Sequence, residues 1–129
     1  MSQTRISCII PAYNEGARIG AVLQAVAGHP MIDEVLVIDD ASRDNTAEVA
    51  AQFATGANGV TLIRQPQNGG KTKALATGFA AMRGTHVLLL DADLIGLTAA
   101  DVTALIAPVM AGEADMTISL RGNSPWPWR

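Results

Sequence analysis

The sequence has no cluster of lysines and arginines, no long hydrophobic run and a single cysteine, and each shortage closes off a class of protein. With a formal net charge of −3 it lacks the phosphate-neutralising surface of a nucleic-acid binder, so nucleic acid is not an expected partner. No stretch reaches the ~18 apolar residues that a membrane-spanning helix needs. The apolar opening from Ile6 is broken at Pro11 and Asn14, too early for a secretory signal. Cys8 has no second cysteine to pair with and lies inside the apolar run Ile6 to Ile10, so it reads as the buried thiol of a reducing compartment. The expected location is cytoplasmic, at the inner face of a membrane if a longer parent or a partner anchors the chain. Internal repeats and low-complexity segments are absent as well.

What is present suits one folded domain. The 129 residues are 49% hydrophobic and 16% charged, and at this length folding buries roughly two-thirds of the surface an unfolded chain exposes. Short β-type apolar runs alternate with helical periodicity, the pattern of βαβ units and an open, mostly parallel sheet of about five strands with helices on both faces. Arg5 to Pro11 reads as the first strand, and Ile19, Val22, Leu23, Val26 and Ala27 as the inner stripe of a helix stopped at Gly28. Glu34 to Asp39 is the second strand, followed by a helix with Val49, Ala50, Phe53 and Ala54 inward and with Ser42, Asp44 or Asn45 as its cap. Val60 to Arg64 is the third, before a helix expected to bury Leu75, Phe79 and Met82. Thr85 to Leu90 is the fourth and most apolar. Thr98 and Asp101 form a capping box for a last helix burying Val102, Leu105, Ile106, Val109 and Met110, and Met116 to Leu120 is the fifth strand.

In an open parallel sheet, ligands bind beyond the carboxyl ends of the strands, where strand order reverses. Every polar cluster of the sequence falls at such an end. Asp91 and Asp93 are one residue apart after the fourth strand; if strand geometry persists, both carboxylates face one side and suit a hard divalent cation, Mg²⁺ or Mn²⁺. An acidic turn without a ligand is the alternative. Of Asp39 and Asp40, the first is expected to cap or orient its loop and the second to face a ribose hydroxyl or a base N–H. Gly69 and Gly70 let backbone approach a bound group, and Lys71 offers a point charge to a phosphate; a solvated turn with a surface lysine is the alternative. The run Gly-Gly-Lys-Thr is not a P-loop, because Gln65 stands where its first glycine belongs. Tyr13 can stack on a base and Glu15 can accept from a ribose or a bound water, or Asn14 and Glu15 simply cap the first helix. His29 and His86 are isolated and read as structural, and Trp126 and Trp128 as packing or interface residues.

Taken in order, IIPAYNEGARIGAVLQAV, VLVIDDASRDNT, NGGKTKALATG and VLLLDADL resemble the landmarks of the inverting family-two glycosyltransferases. The resemblance implies a GT-A fold, a Rossmann-like nucleotide-binding half. It implies that Pro11, Tyr13 and Glu15 line the nucleotide, that Asp40 binds the base, and that Asp91 lies near ribose and diphosphate. Asp93 would be the main protein ligand of the metal, with Lys71 flanking the nucleotide. The partners implied are a nucleotide-diphosphate sugar and an acceptor such as a polyprenol phosphate or a saccharide; a homo-oligomer is compatible. The family's general base lies well downstream of the Asp-X-Asp pattern, and nothing from Met116 to Arg129 matches it. Glu113 and Asp115, the only later acids, suit a turn, so no catalytic residue is assigned. The expectation is a donor-binding domain over residues 1–121, short of a full enzyme, with an irregular tail over 122–129. The rivals are a phosphoacceptor receiver domain, whose acidic pair would end the first strand, a nucleotidyltransferase, which would need a glycine-rich basic loop after it, and a non-catalytic sugar-nucleotide-binding module.

Overall fold

The computed structural model describes residues 4–56 and 58–112 together with the backbone of 119–120. Strands and helices alternate as β1 (Ile6–Ala12), α1 (Ile19–Val26), β2 (Glu34–Asp39), α2 (Thr46–Phe53), β3 (Val60–Arg64), α3 (Lys71–Ala81), β4 (His86–Leu90), α4 (Ala99–Met110) and β5 (Ser119–Leu120). All pairings are parallel, and the five strands lie in the order β3-β2-β1-β4-β5. The chain therefore builds outward from β1 to one edge, then crosses back to β4 on the other side. The reversal falls between β1 and β4, where parallel sheets open a crevice at their carboxyl ends. Register brings those ends level, with Ala12 beside Asp39 and Asp39 beside Arg64.

Alternation along β1 and β2 divides the core between the two faces of the sheet. Cys8, Ile10, Val35 and Val37 point into the larger cluster, which contains the buried stripes of α1 and α4 and Ala50 of α2. Ile9, Leu36 and Ile38 point the other way, into a smaller cluster under α3. Burial raises the Cys8 thiol far above its ordinary range and keeps it neutral. His29, buried in the turn after α1, accepts from Met31 N–H at 3.1 Å and contacts Ala99 O and Thr103 Oγ1 at 3.2 and 3.0 Å, a structural tie to α4.

Two expected inner faces differ in detail. α3 buries Lys71, Ala74 and Gly78, leaving Phe79 46% exposed. The reason is close approach: a Cβ on Gly78 would stand 2.7 Å from Ile9 Cγ2, so the stripe touching the sheet must be small, and Phe79 lies one residue around the helix from it. On α4 the buried residues are Val102, Ile106 and Val109, and Met110 is 44% exposed for the same angular reason. The Thr98–Asp101 capping box is present in both directions. Asn45 occupies the cap position of α2 without a side-chain bond, and Asp44 accepts the Thr46 N–H at 2.9 Å in its place. Met116 to Ile118 of the expected fifth strand, the acids Glu113 and Asp115, and both tryptophans lie outside the described residues. Among those described, no helix is long and apolar enough to cross a membrane.

Candidate donor site

The loops that leave the carboxyl ends of β1, β2 and β3 are laced together by side-chain to backbone bonds, and the end of β4 is tied in by the Lys71–Asp91 ion pair. Asn14 adopts a left-handed φ of 54°, a conformation asparagine tolerates better than most residues. From there its Oδ1 accepts Arg43 N–H at 2.8 Å, and its own N–H donates to Ser42 Oγ at 2.9 Å. Glu15 N–H donates to Thr46 Oγ1 at 2.9 Å and Gly16 N–H to Asp44 Oδ2 at 3.0 Å. A Cβ on Gly16 would fall 1.9 Å from Asn45 Oδ1 and 3.1 Å from Thr46 N, so the two loops meet closely here. The Glu15 carbonyl also accepts the N–H groups of Arg18 and Ile19, which starts α1.

Glu15 is 5% exposed and its carboxylate meets Arg18 Nε at 3.1 Å. Burial pushes its pKa up; Arg18 opposes this, and the nearby charges of Asp93 and Asp44 add to it. Asp93, beyond β4, thus lies close enough for its charge to act on Glu15 of the β1 loop. For Asp44, burial also favours the neutral acid, but hydrogen bonds from the Thr46 hydroxyl and from the Gly16 and Thr46 N–H groups outweigh it and hold the carboxyl below its ordinary value.

At the end of β2 both aspartates are fully buried. Asp39 Oδ1 accepts Ser42 N–H at 3.2 Å and Oδ2 faces Arg64 Nε at 3.4 Å, so it orients its own loop, and Ala41 in that loop is held at φ 59°. Asp40 accepts the N–H of Gly69 on Oδ1 and that of Gly70 on Oδ2, each at 2.9 Å. Next in the chain, Lys71 opens α3 and is buried; its Nζ meets Asp91 Oδ1 at 2.6 Å. A solvated turn with a surface lysine is therefore not what the Gly-Gly-Lys segment forms.

Asp93 is 4% exposed, and neither of its carboxylate oxygens has a hydrogen-bond partner. Leaving a buried polar group unmade costs about 1–3 kcal/mol, more for a charge, so such an acid marks a place where something else binds. The strand does not continue through it: β4 ends at Leu90 and Ala92-Asp93 form a turn, so the two acids are not brought together by strand alternation. Among the described residues, no group of three or more His, Cys, Asp or Glu side chains is placed to hold a metal. A single carboxylate with two uncommitted oxygens fits Mg²⁺ or Mn²⁺ when a diphosphate and water complete the shell, which is how small hard cations are commonly held.

Pro11 is buried within β1, and Tyr13 is half-buried against the cluster under α3. The structure thus brings Glu15 toward Asp93, and gathers Asp40, Lys71 and Asp91 around the start of α3. Sequence reading named Asp44 only as a helix cap and passed over Arg18 and Thr46, which hold Glu15, and Arg64, which faces Asp39. Only Arg18, three residues after Glu15 near the start of a helix, had a legible spacing. A cavity of about 550 Å³ opens at the other end of the sheet between Arg5, Glu34, Thr61 and Arg83, away from all of these residues.

The chain matches glycosyl transferase family 2 over residues 7–129. It is 36% identical over 114 residues to a glucosyl-3-phosphoglycerate synthase of Mycobacterium tuberculosis, covering 84% of this chain and 35% of that protein. It is 33% identical over 101 residues to a dolichyl-phosphate beta-glucosyltransferase of Trichomonas vaginalis, covering 71% and 30%. Among solved structures, the Mycobacterium tuberculosis synthase in complex with Mn²⁺, UDP-glucose and glycerol 3-phosphate superposes with a TM-score of 0.73 at 30% identity, over 85% of this chain and 41% of that one. A mannosyltransferase from Pyrobaculum calidifontis in complex with GDP-mannose and Mn²⁺ gives 0.71 at 26% identity, over 82% and 32%. The chain spans about a third of the length of the relatives it matches. The match removes the receiver-domain alternative, and the fold agrees, since the acidic pair ends β2 and not β1.

Proposed function

Because the chain belongs to glycosyl transferase family 2, we propose that it is the donor-binding part of a GT-A glycosyltransferase that moves a sugar from a nucleoside-diphosphate sugar to an acceptor hydroxyl with inversion. The observation that carries this reading is the pair of uncommitted, buried oxygens of Asp93 at the sheet's switch point.

In this reading Asp93 holds the divalent cation and Asp91 stands beside it toward the ribose and diphosphate. Bound there, Mg²⁺ or Mn²⁺ would offset the negative charge that grows on the departing nucleoside diphosphate. Lys71 supplies a fixed positive charge next to Asp91, and its burial keeps the pair pointed in one direction. The turn from Pro11 to Glu15 lines the nucleotide, with Glu15 adding a second acid near the cation. The acceptor, a polyprenol phosphate or a saccharide, and the carboxylate that takes its proton belong to the part of the fold that the relatives carry beyond the region matched here. Donor binding is therefore the activity to test on this chain first.

The test is a titration of uridine, guanosine and adenosine diphosphates with and without Mn²⁺, repeated with Asp93→Ala. Metal-dependent binding that disappears in the variant supports the reading. Equal binding without metal, or without Asp93, refutes the assigned role. Release of free nucleoside diphosphate from a sugar nucleotide reports turnover in the same samples.

A further inference from the structure

The loop after β1 takes its shape from the start of α2. Glu15 N–H donates to Thr46 Oγ1 at 2.9 Å and Gly16 N–H to Asp44 Oδ2 at 3.0 Å, while the Thr46 hydroxyl donates to Asp44 Oδ1. Thr46 is the first residue of α2 and is fully buried. We propose that Thr46 is a positioning residue: its hydroxyl, aimed by Asp44, fixes the backbone of Glu15 and so sets that carboxylate in the donor site. Its effect on nucleotide, as distinct from its hold on the loop, rests on the donor-binding reading.

Three features single out this hydroxyl. A hydroxyl has one proton to give and two lone pairs to accept with. The Thr46 proton is spent on Asp44, which leaves a lone pair for the Glu15 N–H and closes a ring from Glu15 through Thr46 and Asp44 to Gly16. Asp44 Oδ1 also accepts Thr46 N–H at 2.9 Å, so the acid is fixed within that ring. Second, α2 forgoes an ordinary cap: Asn45 at the cap position makes no side-chain bond to the helix, and the Thr46 side chain reaches across to the β1 loop. Third, the loop is held from outside itself. Asn14 stands at φ 54°, and the N–H groups of Asn14, Glu15 and Gly16 donate to Ser42, Thr46 and Asp44 in turn. Of those three acceptors only Thr46 is buried, where water cannot replace a lost partner, so its removal leaves the costliest vacancy. The Glu15 carbonyl meanwhile accepts from Arg18 and Ile19, so fixing this one residue also fixes the entry to α1.

Thr46→Val keeps the side-chain volume and removes the hydroxyl. Without nucleotide, exchange of the Glu15 amide hydrogen, followed residue by residue by NMR, is expected to rise about tenfold or more, the equivalent of losing one buried hydrogen bond. The amides of β1 and β2 should be unchanged, and Thr46→Ser should stay close to wild type. Unchanged Glu15 exchange in folded Thr46→Val overturns the proposal. If that variant fails to fold, Asp44→Asn, which removes the charge that aims the hydroxyl, takes its place with the same expected direction. In the nucleotide arm, uridine, guanosine and adenosine diphosphates are titrated in Mn²⁺. Thr46→Val should weaken binding about threefold or more and Thr46→Ser should restore it. The loss should vanish when Glu15 is already Gln, because the threonine acts through that residue. A loss of the same size in the Glu15→Gln background overturns the assigned role. If the wild-type chain binds none of the three nucleotides, the donor reading fails, while the exchange arm still decides whether Thr46 holds Glu15.

Discussion

Removing Asp93 should make the free protein more stable while destroying its binding. The carboxylate is 4% exposed, lacks a hydrogen-bond partner on either oxygen, and adds to the unfavourable charge around Glu15. An unmade buried polar group costs about 1–3 kcal/mol, and Asp93→Ala returns part of this while losing a little packing, so a net gain of about 1–2 kcal/mol is expected. For a domain of this size that corresponds to a rise in Tm of roughly 3–8 °C. The measurement is thermal and urea unfolding followed by circular dichroism in EDTA at neutral pH. Adding Mn²⁺ and a nucleoside diphosphate should reverse the order: at a hundredfold excess over Kd the wild-type chain gains about 2.7 kcal/mol by mass action, and the variant gains nothing. If Asp93→Ala loses 1 kcal/mol or more in EDTA, the carboxylate has a structural partner. Its oxygens then do not await a ligand.

Much of the fold was legible because parallel α/β architecture writes itself locally. β2 and β3 are apolar runs bounded by turn residues, and their limits match the expected ones; β1 and β4 shift by a single residue. The inner stripe of α1 followed from spacing, and so did the capping box of α4. On α3 Leu75 and Met82 pack against the smaller cluster, but Phe79 was misjudged because hydrophobic spacing assumes that the largest apolar residues are buried, whereas close contact with Ile9 selects Ala74 and Gly78 and turns Phe79 outward. That contact joins residues far apart in sequence, which no local pattern contains. The same limit applies to the site. That acids sit at strand ends could be read directly, but which acid is committed to the backbone and which is left open could not. Asp40 and Asp93 look equivalent as strand-end carboxylates; they differ because the Gly69-Gly70 segment comes back over β2 and donates to Asp40, while no described group donates to the oxygens of Asp93.

Three further outcomes follow from the same geometry. Ala41 is held at φ 59°, where a Cβ costs about 1–2 kcal/mol; after the greater freedom of glycine in the unfolded chain is subtracted, Ala41→Gly should stabilise by about 0.5–1 kcal/mol in urea unfolding, and a loss of stability would show that the loop is not strained there. Gly78→Ala places a Cβ 2.7 Å from Ile9 Cγ2 and should destabilise by about 1–3 kcal/mol despite the better helix propensity of alanine, and a neutral result would mean that α3 can lift off the sheet without penalty. Glu15 carries the third. Burial raises its folded pKa, with Asp93 and Asp44 adding and Arg18 opposing, so in the window between its ordinary value and the raised one the folded chain holds a proton that the unfolded chain has released. The stability linked to Glu15 is therefore complete below its ordinary pKa and is lost as pH rises through the folded value. Asp44, lowered by its three hydrogen bonds, acts in the opposite sense: its contribution is present above its ordinary value and is lost as pH falls through the depressed one. Glu15→Gln should consequently leave a stability profile that declines less as pH rises across the upper carboxylate range, and Asp93→Ala should flatten it in the same direction by removing one of the charges that raises Glu15. If Asp93→Ala leaves the Glu15 titration unmoved in carboxyl-detected NMR, the two loops do not converge, and a shared site for a cation and a diphosphate between them has no geometric basis.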